Sequence, residues 1–404
     1  TDGFEYECID PRAPTTRMGL VRVADLSGNG VPDVVVGGAG ARSRLWLNGS
    51  RTGLRDADWL QYQLGLRGPD LFWYERTDDG WVRHAMSPRR FGADHVPMGE
   101  GSALVDLDGD GRLDLVDAGP IHFPGFSWYR QPADPRDAWD RVVVTDRFTT
   151  IHDIVVADVD DDGDEEVVGL AQHDETLFYY DVPADPTVSP WPDDHYHEVM
   201  SGTHAKGLQV LDVDGDGANE ILAGNSIYHR EGSSQNPTWR REDYAEGYEH
   251  NRIEVADVDG DGDLELVVTE GDLPAHGDQP GRLAWFDRVG DDSGAEAAGA
   301  GRNGWVEHVL RDDLFCPHTL AIADFDGDGT PDLFVGEMGL GVHPDPELTL
   351  FLNRGDATFD QRVISRGVPT HEARVVDIDG DGKPDIVGKP YAPGRHVDVW
   401  YNRL

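Results

Sequence analysis

The chain has 404 residues, with 78 acidic against 34 basic side chains and a formal charge of −44. Such a surface repels nucleic acid and anionic membranes, so neither is expected as a partner. No apolar run reaches the roughly 18 residues of a membrane-spanning helix, so no membrane insertion is expected. Two cysteines, Cys8 and Cys316, are too few for a disulfide framework. Only three of the basic residues are lysines: Lys206, Lys383 and Lys389. An acidic, lysine-poor surface that keeps its arginines has the character of proteins from salt-loving microbes, where ions screen the self-repulsion. An ordinary secreted calcium protein is the other reading. The first residues, TDGFEYECID, lack the charged start and apolar core of a signal peptide, so an export signal is read as removed or never present. The expected location is extracellular or at the cell surface of a halophile, and the expected state is a monomer.

The first predicted element is the strand FEYECID, Phe4 to Asp10. From Asp25 the nonapeptide DLSGNGVPD opens a motif, DxDxDGxx(D/E), that recurs six times at intervals of about 50 residues, the mark of a repeat architecture. Its ligand positions are Asp25, Ser27, Asn29 and Asp33 in the first loop, then Asp106, Asp108, Asp110 and Asp114 in the second. Asp158, Asp160, Asp162 and Glu166 form the third set, and Asp212, Asp214, Asp216 and Glu220 the fourth. Asp257, Asp259, Asp261 and Glu265 follow in the fifth, Asp324, Asp326, Asp328 and Asp332 in the sixth, and Asp377, Asp379, Asp381 and Asp385 in the seventh.

Each motif lies between two short apolar strands, as in LAIADFDGDGTPDLFVG, so each unit opens with a hairpin. Two more strands follow in most units, such as LFWYE with WVRHAM and LTLFLNR with FDQRVIS. Four strands per unit make the blade of a β-propeller, and helical periodicity is almost absent. After the seventh hairpin only one strand remains, HVDVWYN, so FEYECID is predicted to supply the missing fourth strand and close the last blade. Stretches near 40–69, 184–194, 232–238 and 290–304 are rich in Gly, Ser, Asp and Pro and read as surface loops.

These spaced motifs resemble the FG-GAP or VCBS repeat family of seven-bladed β-propellers, which includes the integrin head. The resemblance spans residues 1–404 as one all-β domain and implies calcium-binding DxDxDG loops. Carboxylates on alternate residues converge on a hard cation when the sixth-position glycine lets the chain turn sharply. In the sixth loop the Thr330 carbonyl would join the carboxylates. Ser27 and Asn29 replace two acids in the first loop, which is therefore expected to bind most weakly.

A loop that joins the first two strands of a blade leaves the start of the first and the end of the second on the opposite face. Six residues before each loop's first aspartate stand Gly19, Glu100, His152, Lys206, Asn251, His318 and His371, with Arg17, His95, His204 and His250 close by. Beyond the second strands come His122, His173, Asn225, Glu270, Glu337, Lys389 and Tyr391, with His276, His343 and His396 in the following loops. A strand start needs only a small polar residue, so this enrichment in histidine points to a ligand; capping of neighbouring carbonyls is the plainer reading.

Histidine, tyrosine and isolated lysine are the residue types that β-elimination requires. His318 and His371 with Glu337 would supply the metal or base group, Tyr391 the proton donor and Lys389 or Lys206 the anion clamp, with His152 touching substrate. Neighbouring histidines could also hold a transition metal such as zinc. The combination resembles the propeller domains of aldos-2-ulose dehydratase and of propeller-type polysaccharide lyases, which implies a lyase acting on a sugar or a uronic-acid polysaccharide. A carbohydrate- or protein-binding propeller of the adhesion type is the alternative.

Overall fold

The computed structural model describes residues 3–11, 21–37, 71–86, 101–118, 125–148, 150–202, 205–233, 236–274, 279–288, 304–339, 345–391 and 396–404. Their 28 strands form seven antiparallel sheets of four strands each, a seven-bladed β-propeller. The innermost strands are Val21–Ala24, Ser102–Val105, Ile151–Ala157, Leu208–Leu211, Asn251–Ala256, Pro317–Ala323 and Glu372–Val376, and they define blades 1 to 7. Each touches the next, and the first also touches the seventh, so they ring a central channel.

The sequence pattern of each strand follows from what covers it. Second strands such as Asp33–Gly37 and Asp332–Glu337 are buried at every residue, because neighbouring blades press on both faces. Outer strands such as Gly80–Ala85 are largely exposed and read as mixed polar sequence. Seven apolar clusters fill the spaces between adjacent blades, one to each space. Between blades 2 and 3, Phe148 stacks on Phe178 at 4.3 Å beside fully buried Trp128. Truncating a tryptophan in such a place costs about 3–5 kcal/mol.

Blade 7 takes its outer strand from the other end of the chain. Phe4–Asp10 pairs antiparallel with Val397–Asn402, setting Tyr6 opposite Trp400 and Cys8 opposite Asp398. The Tyr6 hydroxyl donates to Asp398 Oδ1 at 2.8 Å. Cys8 is half-buried in this strand and Cys316 is buried just before the inner strand of blade 6, and among the described residues neither forms a disulfide.

Residues 232–233 and 236–238, expected as loop, are strand. The third and fourth strands of blade 4, Ser226–Ser233 and Asn236–Asp243, stay paired as far as Ser233 opposite Asn236. Backbone pairing thus reaches Ser233 and Asn236, inside a stretch whose Gly and Ser content signals a loop, and residues 234 and 235 lie outside the described residues. Residues 184–194 do connect two strands, ending in a single 3-10 turn at Asp193–His195. Residues 40–69 and 290–303 lie outside the described residues.

Candidate functional site

The seven loops share one geometry. In loop 6, Asp324 accepts the amides of Gly327 at 2.8 Å and Gly329 at 3.0 Å, while Asp328 accepts that of Thr330 at 3.0 Å. Gly327 and Gly329 have φ of +76° and +91°, which explains why glycine flanks the fifth position. The carboxylates are thereby turned inward. Asp106, Asp108 and Asp114, like Asp158, Asp160 and Glu166 or Asp257, Asp259 and Glu265, each bring ligand oxygens within 4.8 Å of one another. In loop 1, Asn29 accepts the Val31 amide at 2.8 Å, so it keeps the turn without supplying the charge.

The ninth position divides the loops into two kinds. Where it is aspartate, both oxygens accept backbone amides: Asp332 takes those of Phe325 and Asn353, each at 2.8 Å, and Asp385 those of Ile378 and Asn402. Where it is glutamate, in loops 3, 4 and 5, the longer arm reaches the equivalent first amide, of Val159, Val213 or Val258, with one oxygen. Burial pushes the Asp332 and Asp385 carboxyls up to about 6, Glu265 to about 7 and Glu166 to about 8, against the pull of those amides. A bound dication would reverse that cost by stabilising the ionised form, so these residues fit a cation of the calcium type. Loops 2 and 7 are already partly neutralised, Asp108 by Arg130 at 2.5 Å and Asp379 by Arg403 at 2.8 Å.

At the other end of the inner strands, His152, His318 and His371 all line one channel cavity of about 320 Å³. Blade order makes His152 look remote from the other two, but the channel is narrow enough that blades 3 and 6 face each other. The His318 and His371 rings stack at 4.1 Å, and Tyr391 lies 5.1 Å from His371 at a 40° tilt. His318 Nδ1 donates to the His371 carbonyl at 2.7 Å, which leaves Nε2 to accept from the Arg252 guanidinium. Burial and the Arg252 charge keep the ring neutral, well below its ordinary titration range. Both nitrogens of His318 are therefore occupied, and stacked rings do not converge on one ion.

Asp272, in the turn after the second strand of blade 5, ties these blades together. Its carboxylate pairs with Lys206 and stands 3.5 Å from His250 Nδ1 and 3.6 Å from His318 Nε2. Burial opposes its ionisation, but Lys206 and Arg252 hold it well below the usual carboxylate range. Across the channel, His152 Nδ1 lies 2.8 Å from Asp153, which also accepts the Gly207 amide at 3.1 Å. Arg22 and Arg374 share Glu372, each at 2.7 Å. Glu254 faces the same cavity, and burial pushes its carboxyl up to about 7 despite Arg374.

Of the other expected residues, Glu337 is buried and its carboxylate accepts the amides of Phe315 at 2.8 Å and Glu347 at 2.9 Å. That bonding ties the segment before the inner strand of blade 6 to the start of its third strand. Lys389 ends its strand opposite Glu372, almost wholly buried, and its Nζ has no hydrogen-bond partner among the described residues. Burial pulls its ammonium down to about 8 against the Glu372 charge. His173 meets the Thr150 hydroxyl at 3.0 Å and His396 pairs with Asp398. Arg17, Gly19, His95, Glu100, His122, His204, His276 and His343 lie outside the described residues.

Sequence reasoning missed Arg22, Asp153, Arg252, Glu254, Asp272, Glu372 and Arg374. Except for Asp272, they occupy the third and fifth positions before each loop, where strand alternation aims side chains at the axis. A charge within an apolar strand, as in NRIEVAD and HEARVVD, was the available signal.

The FG-GAP-like repeat family matches residues 212–268 and 324–388, which span the fourth and fifth loops and the sixth and seventh. No curated protein matches the sequence. Among solved structures, BBS1N in complex with ARL6DN is similar over 99% of this chain and 97% of that one, with a TM-score of 0.54 and 10% identity. The biofilm matrix protein Bap1 of V. cholerae is similar over 100% and 91%, with a TM-score of 0.51 and 12% identity. At such identities the likeness concerns the fold. Family match, motif spacing and sheet topology agree, and the chain is a seven-bladed β-propeller carrying FG-GAP-like repeats.

Proposed function

We propose that the protein is a calcium-bound propeller whose histidine-bearing channel mouth acts on an acidic sugar as a carbon–oxygen lyase or dehydratase. One observation carries the reading: a buried amine, Lys389, pulled down to about 8, stands opposite Glu372, and its backbone carbonyl accepts the amide of His371, whose ring lies 5.1 Å from Tyr391. An amine neutral near pH 8 is a general base, and a tyrosine is a general acid. Lys389 or His371 takes the proton α to the sugar carboxylate, the electron pair forms the new double bond, and the β carbon–oxygen bond breaks. Tyr391 protonates the leaving oxygen. Lys206 and Arg252 attract the substrate carboxylate, and His318, already bonded at both nitrogens, positions its neighbours. Calcium in the loops would fix the blades and take no part in bond breaking.

Incubation with uronic-acid polysaccharides, followed by ultraviolet absorbance of the unsaturated product, tests this reading. Activity that vanishes in Lys389→Met and Tyr391→Phe is expected. The second reading is a carbohydrate- or protein-binding propeller, favoured by the mutual pairing of Lys206 with Asp272 and Arg252 with His318, which suits a rigid recognition surface. Saturable binding without unsaturated product across a broad panel would establish it instead.

A further inference from the structure

The fourth loop differs from the other six in what stands beside its ninth residue. Tyr228 pairs with Ile221, which sets the next residue, His229, beside Glu220. The corresponding neighbours in blades 1, 2, 3, 5, 6 and 7 are Glu75, Arg130, Asp181, Asp287, Leu352 and Tyr401, so only loop 4 receives an imidazole. His229 is 6% exposed and cannot be dismissed as a surface residue that happens to lie near acids.

Its orientation is fixed from outside the loop. Nε2 lies 3.0 Å from Glu242 Oε2, and Glu242 is itself held by the Trp305 indole at 2.9 Å and by Arg288 at 3.2 Å. A carboxylate that accepts from one imidazole nitrogen leaves the lone pair on the other, the arrangement found behind metal-bound histidine. That other nitrogen, Nδ1, is aimed into the loop, 3.6 Å from Glu220 Oε1 and 3.7 Å from Asp214 Oδ2, beyond hydrogen-bond distance. Glu220 and Asp214 have each committed one oxygen to a backbone amide, of Val213 and Asp216, and present the second to the imidazole. Three potential ligand atoms thus lie within 4.8 Å of one another, His229 and Glu220 buried and Asp214 exposed at the rim. Two ligands at about 2.1 Å from one ion stand roughly 3 to 3.5 Å apart, close to the observed separations.

We propose that loop 4 is a mixed nitrogen and oxygen site for a first-row divalent metal such as zinc, bound by His229 Nδ1, Asp214 and Glu220, while the other loops keep all-oxygen sites. Imidazole favours zinc, nickel or copper over calcium, which takes oxygen ligands almost exclusively. Glu242 is the positioning residue.

The full chain is stripped with a chelator, dialysed against excess calcium with one equivalent of zinc, and analysed for metals. One zinc per chain is expected to survive the calcium excess. His229→Gln should lose it with at least a tenfold fall in zinc affinity, and Glu242→Gln should weaken it less. Calcium content at the other loops and the far-ultraviolet dichroism should stay unchanged in both variants. Cobalt substitution supplies a second readout, because loss of the nitrogen ligand shifts the visible bands. No zinc retained, or zinc retained equally by His229→Gln, overturns the proposal; the latter result with loss in His371→Gln would move the metal to the channel.

Discussion

The two faces of the propeller are built on opposite principles. On the loop face, seven near-copies of one turn repeat the same bonds, the carboxylates answering to amides within the loop or elsewhere in the same blade. At the channel mouth, the same register position is held by His152, Lys206, Asn251, His318 and His371 in successive blades, and the partners of Lys206 and His318 lie in other blades. Repetition suits a scaffold, because every blade has the same need. Divergence at a fixed register is what a single asymmetric site requires, since one ligand meets each blade from a different side.

If the loops are the scaffold, removing their ions should have the largest effect of all. A site held at a thousand times its dissociation constant contributes about 4 kcal/mol, so chelation is expected to lower the melting temperature steeply, and calcium to restore it. A melt unmoved by chelator would end the distinction between the faces. Next, Asp272→Asn leaves Lys206, with 11% of its side chain exposed, without its buried counter-charge, and a loss of about 3 kcal/mol in denaturant unfolding is expected. A change confined to ligand binding, with stability intact, would show that Asp272 belongs to the site alone.

Glu254 gives a smaller effect with a definite sign. Its folded carboxyl titrates at about 7 against an ordinary value of 4.5, so between those limits the folded state holds a proton that the unfolded state has released. Stability therefore falls as pH rises through this window, by about 2 kcal/mol after allowance for water in the channel. In Glu254→Gln the fall should shrink by that amount; an unchanged profile would mean that the channel solvates the carboxylate. The smallest effect is expected from Asn29→Asp, which restores charge to loop 1 without altering its turn. Calorimetry should show tighter calcium binding there and little change in melting temperature.

The fold was legible because its signals are local and repeated. The Gly329 turn, the alternate aspartates and the apolar second strands all follow from near-neighbour chemistry, and seven copies reinforce one another. The strand Phe4–Asp10 could be assigned to blade 7 because one strand was missing there. The mouth was half legible: histidines at strand starts do line the channel, as His152, His318 and His371 show. Their partners were not, because Asp272 reaches Lys206 and His318 only through the closed ring, and no spacing within one blade encodes that meeting. Glu337 lies at the expected strand end, but its hydrogen bonds to the Phe315 and Glu347 amides were not legible, because those segments meet it only in the folded chain.

The pairing of Phe4–Asp10 with Val397–Asn402 has a kinetic meaning. Tyr6 and Asp398 are 392 residues apart in sequence and 2.8 Å apart in space. Contacts of that separation form last, because the loop they close includes every other blade. The inner blades can assemble from neighbouring hairpins, but the ring stays an open arc until the two ends meet. A circular permutant that joins these ends and opens between two other blades should shift that final step elsewhere and fold to the same structure, with the order of assembly changed.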